Sequence, residues 1–262
     1  MITRRDFLKN SVLTVAGAAL PLAAFEIIDP KKLMAQEAAN SAKVRWVFLV
    51  DTVKCVGCGM CVKACKLENE VPYDANVTRT WVERYVLTKD GKVWADTPKG
   101  ARDGFTTGKI DLNEGKFKDI RKEDIDKAFF VPKLCNQCDN PPCVQVCPVG
   151  ATYQAPDGVV LVDRTWCIGC GYCIMGCPYG VRFFHPVYHT AEKCNFCYHR
   201  ITKGMKTACV DACPFSARRI GNIKDPKDPV TKIIMTERVG VLKEEYGTKP
   251  QVFYIGLSKE VK

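Results

Sequence analysis

The chain contains sixteen cysteines, and they fall into four groups of four with none left over. The groups are Cys55, Cys58, Cys61 and Cys65; Cys135, Cys138, Cys143 and Cys147; Cys167, Cys170, Cys173 and Cys177; and Cys194, Cys197, Cys209 and Cys213. Thiols grouped in this way hold iron–sulfur clusters or zinc, or they pair as disulfides. The spacing within each group separates these three chemistries.

Groups one and three have the spacing C-x2-C-x2-C-x3-C, which is typical of bacterial ferredoxins with two clusters. In that pattern three cysteines bind one cluster and the fourth binds its neighbour. Group two lengthens the middle gap to four residues, and group four lengthens it to eleven. Gly57, Gly59, Gly169 and Gly171 predict loops that turn backbone N–H groups towards sulfur. The spacing therefore predicts four [4Fe–4S] clusters, although Lys66 replaces the proline that follows the fourth cysteine in the other groups.

A zinc-stabilised structural protein is the main alternative. Structural zinc is held by two cysteine knuckles that a longer loop separates, and group four alone fits that description. Three cysteines at two-residue intervals, as in groups one and three, would crowd a single tetrahedral ion. We therefore favour clusters over zinc and over a disulfide framework.

The segment between groups two and three indicates which groups share a lobe. It reads as a short turn at residues 156–158 followed by the strand Val159-Val-Leu-Val, which is the hairpin of a two-cluster ferredoxin. Groups two and three are thus predicted to form one lobe, and groups one and four pair by elimination. The alternative pairs group one with two and three with four, across a long gap between Cys65 and Cys135.

The composition is that of an ordinary globular protein, with 262 residues, 47% of them hydrophobic and 26% charged. It excludes a mainly disordered, collagen-like or polytopic membrane chain. The formal net charge of +10 counts every cysteine as neutral. Four oxidised clusters with their thiolates would add about −8 and leave a net charge of about +2. Cofactor charge therefore accounts for the excess of lysine and arginine, and we expect no nucleic-acid partner.

The N-terminus has the pattern of a signal sequence. Residues 3–9 read Thr-Arg-Arg-Asp-Phe-Leu-Lys, and an uncharged run at residues 11–25 is too short to span a membrane. The arginine pair predicts a twin-arginine signal for export of the folded protein, with a Sec signal or an amphipathic helix as alternatives. We assign residues 1–35 to it, with an end between residues 24 and 42. Such export would carry clusters intact into the oxidising periplasm.

Two segments lack cysteine. Alternating residues at 81–87 and 93–95 predict a β-hairpin, followed by a polar loop that ends near Lys127. In the tail, the sequence predicts a turn at residues 226–229, a helix around residues 238–246 and a strand at residues 251–255. No run of about 18 apolar residues follows in the tail, so we expect any membrane link to come through a partner.

The motifs match a known family over residues 44–255. They are Cys55-Val-Gly-Cys-Gly-Met-Cys-Val-Lys-Ala-Cys-Lys-Leu-Glu-Asn-Glu, Cys135-Asn-Gln-Cys-Asp-Asn-Pro-Pro-Cys, Cys167-Ile-Gly-Cys-Gly-Tyr-Cys, Cys177-Pro-Tyr-Gly and Gly247-Thr-Lys-Pro-Gln-Val-Phe-Tyr-Ile. On these motifs the chain resembles the four-cluster ferredoxin-like subunits of complex iron–sulfur molybdoenzymes, such as dimethyl sulfoxide reductase and polysulfide reductase. It also resembles the electron-transfer protein of formate-dependent nitrite reduction.

The resemblance implies four ligand sets, which we name clusters A to D. Cluster A would be held by Cys55, Cys58, Cys61 and Cys213, and cluster B by Cys65, Cys194, Cys197 and Cys209. Cluster C would be held by Cys135, Cys138, Cys143 and Cys177, and cluster D by Cys147, Cys167, Cys170 and Cys173.

The expected fold is α+β, with two ferredoxin-like dicluster lobes in a nested duplication, a β-rich insertion and a C-terminal extension. Residues 44–134 would form the first half of lobe A with the insertion, residues 135–193 lobe B, and residues 194–262 the second half of lobe A with the extension. The implied function is electron relay without catalysis, between a polytopic quinone-interacting membrane subunit and a molybdenum or tungsten catalytic subunit. A relay in a quinone-reactive respiratory complex without molybdenum, with a multihaem cytochrome or iron–sulfur partner, is the alternative.

Overall fold

Short strands and short helices alternate in residues 43–105, 117 and 120–261, which a computed structural model describes. The predicted signal segment lies outside these residues. The strands are β1 (Trp46–Asp51), β2 (Thr80–Thr88), β3 (Val93–Asp96), β4 (Ile125–Leu134), β5 (Thr152–Gln154), β6 (Val160–Val162), β7 (Phe183–Phe184), β8 (Ala191–Glu192), β9 (Arg218–Asn222), β10 (Val239–Gly240) and β11 (Val252–Ile255). The α-helices are α1 (Met60–Glu68), α2 (Pro142–Gln145), α3 (Tyr172–Met175), α4 (Tyr198–Ile201), α5 (Ala208–Asp211) and α6 (Pro229–Thr236), and 3-10 helices span Pro98–Ala101, Lys122–Asp124 and Glu244–Tyr246. Within the described ranges, no helix is long and apolar enough to cross a membrane.

A four-stranded sheet in the order β10-β11-β1-β9 supports the cysteine-rich core. Its strand β1 pairs in parallel with β11 and antiparallel with β9. Because side chains alternate along a strand, Phe48 and Val50 pack with the core that contains several cysteines, and Val47 and Leu49 pack in a second core. Helix α6 contacts β1 and contributes to this second core. Both faces of β1 are thus covered, which explains its continuous apolar sequence.

The second sheet contains three antiparallel strands in the order β3-β2-β4. The predicted hairpin is confirmed as β2 and β3, which pair over residues 84–87 and 93–96. The polar segment ends close to Lys127, as predicted, but the strand that follows is not predicted: β4 begins at Ile125 and pairs with β2 along its length. The first half of β4 is exposed and the second half is buried, so the alternation that identifies a strand is missing. This strand ends directly before group two and fixes where that group begins.

Two small ribbons flank group three. The hairpin predicted between groups two and three is confirmed as β5 and β6, which pair antiparallel at Thr152↔Val162 and Gln154↔Val160. A second ribbon, β7 with β8, lies between groups three and four. Each ribbon ends within a few residues of a cysteine, so the ribbons space the groups along the chain.

The tail departs from its predicted form. The helix expected around residues 238–246 is wrong, because α6 precedes that range and β10 and a 3-10 turn occupy it. The carboxylate of Asp228 accepts hydrogen bonds from the N–H groups of Val230 (2.7 Å) and Thr231 (3.4 Å), and Pro229 takes the first helical position. An aspartate followed by proline therefore begins a helix here. The final strand is confirmed as β11.

Candidate iron–sulfur centres

The four groups share one backbone path around their first three cysteines. The residue directly before the second cysteine is left-handed in every group: Gly57 (φ 69°), Gln137 (47°), Gly169 (71°) and Phe196 (54°). A short helix then carries the third cysteine; α1, α2, α3 and α5 hold Cys61, Cys143, Cys173 and Cys209. The sequence indicates this turn only where glycine marks it, although Gln137 and Phe196 adopt the same conformation.

Gly59 has the strictest steric role in group one. It begins α1 with φ 75°. A Cβ at this position would lie 2.3 Å from the carbonyl oxygen of Ala101 and 2.6 Å from the backbone nitrogen of Gly104. Because both atoms belong to the backbone, only glycine fits between the second and third cysteines.

Helix α1 places Cys61 and Cys65 about one turn apart, as the spacing predicts. It continues past its fourth cysteine, whereas the helices of the other groups end before theirs, where proline follows. The residue that replaces proline, Lys66, is buried. Its Nζ donates to the carbonyl oxygens of Pro72 (3.0 Å) and Ala75 (2.7 Å). This lysine therefore holds the loop that follows α1.

Two largely enclosed cavities are each lined by four cysteines. One is lined by Cys135, Cys138, Cys143 and Cys177. The other is lined by Cys65, Cys194, Cys197 and Cys209. In each, one cysteine from a distant group joins three from a single group. Four thiols around one enclosed space are the donor set of a [4Fe–4S] site.

Cys55, Cys58, Cys61 and Cys213 are also brought together. Burial raises the pKa of Cys55, and the neighbouring thiols of Cys58 and Cys213 raise it further. Burial likewise raises the pKa of Cys61, to about 11. The thiols of Cys55 and Cys61 therefore hold their protons more firmly than free cysteine, so cluster iron has to displace a proton from each.

The remaining four cysteines include Cys170, the one exposed cysteine among the sixteen. Cys147 and Cys167 are half-buried, Cys170 is exposed, and Cys173 is buried in a small apolar cluster. Helices α2 and α3, which belong to groups two and three, contact each other. This is the most solvent-accessible of the predicted ligand sets.

Backbone N–H groups point at four of the sulfur atoms, as the sequence predicts. The contacts are Thr152 N to Cys147 Sγ (3.4 Å), Ala191 N to Cys167 Sγ (3.4 Å), Phe196 N to Cys194 Sγ (3.4 Å) and Ala217 N to Cys213 Sγ (3.3 Å). Hydrogen bonds to thiolate sulfur stabilise the reduced form of a cluster. Three of these donors follow a group or lie on a strand, and Phe196 lies inside group four. Gly57, one of the glycines that suggested such contacts, also donates its N–H to the Cys55 thiol.

A polar network behind group four is not apparent from the sequence. Asn69 Nδ2 donates to Cys65 Sγ at 3.5 Å, and its Oδ1 accepts from Arg79 Nη1 at 2.6 Å. The same arginine nitrogen contacts Asn195 Oδ1 at 3.0 Å, and Arg79 Nη2 pairs with the buried Glu192 at 2.9 Å. The network holds the Asn69 amide so that it donates to the Cys65 sulfur, where groups one and four meet. Asn69 does lie within the quoted group-one motif, but nothing in its spacing indicates this role.

Comparisons with known proteins bear on which cofactor these cysteines bind. Residues 54–151 and residues 126–223 each match a family model described as a 4Fe-4S dicluster domain. A tetrathionate reductase subunit of Salmonella typhimurium is 37% identical over 259 residues, which cover 97% of this chain and 88% of that protein. A tetrathionate reductase subunit of Archaeoglobus fulgidus is 42% identical over 214 residues, 82% of this chain and 83% of its own. An Hdr-like menaquinol oxidoreductase iron-sulfur subunit 1 from Archaeoglobus fulgidus is 32% identical over 300 residues, which cover 99% of this chain and 100% of that protein.

The two dicluster domains and the sixteen cysteines define a protein that carries four [4Fe–4S] clusters. The chain belongs to the family of iron–sulfur electron-transfer subunits of molybdenum-enzyme reductase complexes, as its motifs predict. It is therefore a non-catalytic subunit that transfers electrons. The predicted cofactor is confirmed over the zinc alternative.

Proposed function

We propose that this chain relays single electrons on the periplasmic side of the cytoplasmic membrane, between a quinone-linked membrane subunit and a molybdenum or tungsten oxidoreductase subunit. The observation that carries this proposal is the near full-length similarity to the tetrathionate reductase subunit of Salmonella typhimurium. The chain's own contribution is to hold four clusters at fixed separations and to exclude water from most of them. The location rests on the twin-arginine motif, which lies outside the described residues.

The proposal includes the ligand sets of clusters A to D and the nested duplication. The two four-cysteine cavities support clusters B and C. The grouping of Cys55, Cys58 and Cys61 with Cys213 supports cluster A. Helix α1 contacts α5, and α2 contacts α3, in line with lobes formed by groups one with four and two with three.

Strand pairing supports the proposed lobe boundaries. Strand β1, in the segment 44–134, pairs with β9 and β11, which lie in the segment 194–262. One sheet thus joins the first and last segments into lobe A. Both ribbons of the segment 135–193, β5 with β6 and β7 with β8, pair within that segment. It is therefore proposed as lobe B.

Cluster D is proposed as one end of the relay, because a terminal cluster must lie close to a partner's redox centre. Its ligand Cys170 is exposed, and exposed apolar side chains surround it in sequence. They are Trp166, Ile168, Tyr172 and Met175.

A second candidate is a relay in a quinone-reactive complex without molybdenum. The similarity to a subunit named as part of a menaquinol oxidoreductase, over the whole of both chains, favours it. The cluster-binding residues would do the same work in both complexes. The two candidates differ only in the partner that exchanges electrons with the chain.

Metal analysis of the complex, purified natively from detergent-solubilised membranes, distinguishes these candidates. At least sixteen irons per copy of this chain, with stoichiometric molybdenum or tungsten, supports the first. At least sixteen irons without either metal supports the second, and a haem or iron–sulfur partner adds its own iron to either count. A chain that purifies from the soluble fraction with its clusters and without a membrane partner would refute both.

Export has a separate test. Changing Arg4→Lys and Arg5→Lys together keeps the charge but removes the twin-arginine motif. The variant is expected to stay in the cytoplasm with its clusters, whereas Lys9→Arg as a control is exported. Normal export of the double variant would contradict the proposed route.

A further inference from the structure

Two buried arginines occupy the same position in two of the cysteine groups. Arg182 and Arg218 each lie five residues after the fourth cysteine, in the runs Cys177-Pro-Tyr-Gly-Val-Arg and Cys213-Pro-Phe-Ser-Ala-Arg. Arg182 is only 4% exposed and Arg218 only 1% exposed. Groups one and two have Glu70 and Thr152 at this position. Each proposed lobe therefore contains one arginine of this kind.

A threonine hydroxyl fixes each guanidinium. Arg182 Nη2 donates to Thr152 Oγ1 at 2.9 Å, and Arg218 Nη1 donates to Thr80 Oγ1 at 2.9 Å. The other buried nitrogens Arg182 Nε and Nη1 and Arg218 Nη2 have no oxygen or nitrogen acceptor among the described residues, and the Cys173 sulfur is an acceptor for Arg182. A buried charge with unpartnered N–H groups is costly unless a negative group faces it.

The negative groups nearest these arginines are cysteine sulfurs from two ligand sets. Arg182 lines the same enclosed cavity as Cys135, Cys143 and Cys177. Burial by itself lowers the pKa of Arg182, but the thiolates of Cys143, Cys173 and Cys135 raise it overall. These cysteines belong to clusters C and D. In the other lobe, burial by itself lowers the pKa of Arg218, but the thiolates of Cys61, Cys209 and Cys55 raise it overall. These three cysteines belong to clusters A and B.

We propose that Arg182 and Arg218 are fixed positive charges, each shared by the two clusters of one lobe, and that they raise the reduction potentials of both. The inference rests on the proposed ligand sets. A cluster gains one electron from its neighbour or a partner and becomes more negative by one unit, and a nearby buried cation stabilises that state. Arginine keeps its proton throughout, because a guanidinium is not deprotonated in proteins. The arginine itself therefore takes up and releases no proton when a cluster is reduced.

Two buried lysines beside the cysteines, Lys66 and Lys193, do not have this geometry. Lys193 Nζ donates to the carbonyl oxygens of Val160 and Cys194, the latter at 3.0 Å. Lys66 likewise donates to two carbonyl oxygens. Backbone acceptors hold these ammonium groups, whereas the two arginines retain free donors close to sulfur.

The test is a redox titration of the four clusters, followed by electron paramagnetic resonance, in the purified native complex. Arg182→Gln and Arg218→Gln are each expected to lower two of the four midpoint potentials and to leave the other two unchanged. The expected shift is at least tenfold in the reduction equilibrium, or about 59 mV for one electron. The two variants should affect different pairs of signals. Arg182→Lys and Arg218→Lys keep the charge and should retain most of the wild-type potentials.

Arg121→Gln is the matched control, because this arginine side chain is 73% exposed and pairs with Asp124. It should shift none of the signals. Unchanged potentials in glutamine variants with full iron content, or a shift of the same pair in both, would overturn the proposal. So would lysine variants that shift as far as the glutamine variants. If a glutamine variant loses iron, its lysine counterpart decides: full iron with retained potentials supports the proposal, and shifted potentials overturn it.

These outcomes are distinct from failure of the proposed relay. A wild-type complex with fewer than four cluster signals would refute the proposed cluster arrangement itself. A wild-type complex with four signals and insensitive arginine variants would refute only the role of the arginines.

Discussion

Replacing Gln137 with leucine is expected to destabilise the fold that holds the clusters, because this side chain makes two buried hydrogen bonds to distant segments. Gln137 is fully buried, with 0% of its surface exposed. Its Nε2 donates to the carbonyl oxygen of Cys194 at 2.7 Å, and its Oε1 accepts from the N–H of Val160 at 2.7 Å. One side chain thus ties group two to group four and to strand β6.

The size of the effect follows from what each partner retains. In Gln137→Leu the buried N–H of Val160 loses the amide oxygen that it bonds, which costs about 1–3 kcal/mol. The carbonyl of Cys194 still accepts from Lys193 Nζ at 3.0 Å, so its loss is only about 1 kcal/mol. Leucine and glutamine meet similar strain at φ 47°, so the backbone contributes little to the difference. The expected total is about 2–4 kcal/mol.

Loss of the visible absorbance of the clusters in guanidinium, without oxygen and at a fixed incubation time, measures this effect. A fixed time is needed because cluster loss is irreversible. With a slope of about 4 kcal/mol per molar, the midpoint should fall by about 0.5–1 M. Gln145→Leu is the control, since its amide bonds Asn140 at 2.7 Å on an exposed site and its loss should cost less than about 0.5 kcal/mol. Equal midpoints for wild type and Gln137→Leu, or an equal fall in the control, would refute this reasoning.

Two further predictions concern cluster retention. Gly59→Ala should lose iron from the group-one site, because its Cβ would meet the backbone at Ala101. The control Gly91→Ala, at φ 81° with no atom within 4 Å of the added Cβ, should keep the full iron content. Iron analysis of both variants tests this, and full iron in Gly59→Ala would contradict the steric argument. Chelating the iron should unfold most of the chain, because the clusters supply much of its stability; far-ultraviolet circular dichroism of the iron-free protein checks this, and a native-like spectrum would contradict it.

The sequence predicts most reliably what short-range geometry determines. The positions of the third and fourth cysteines of group one follow from helical spacing, and the ribbon β5–β6 follows from its turn at residues 156–158. The hairpin β2–β3 is accessible for the same reason. In each case the residues that decide the structure lie within about ten positions of one another.

Features that depend on distant partners are not accessible from the sequence. Strand β4 exists because β2 pairs with it, and its own residues do not alternate. Helix α6 escapes prediction for another reason, since the local Asp228 and Pro229 signal fits a turn as well as a helix start. Arg218 shows the limit most clearly. Five residues after a cysteine it could have been a surface charge, and only the packing of β9 against β1 buries it.

The buried arginines also bear on why the clusters and the fold depend on one another. A buried cation without a counter-charge costs several kcal/mol, and Arg182 and Arg218 face mainly cysteine sulfur. In the iron-free chain burial raises the pKa of the Cys61 thiol to about 11, and it also raises the pKa of Cys55 and Cys143. Near pH 7 these three thiols are neutral, so each arginine would lose negative charge that compensates it. A loaded site carries about −2 and restores it. The charges that would raise the cluster potentials are therefore the same charges that would make the iron-free fold unfavourable, and iron removal should be harmful to lobe A through Arg218 and to lobe B through Arg182.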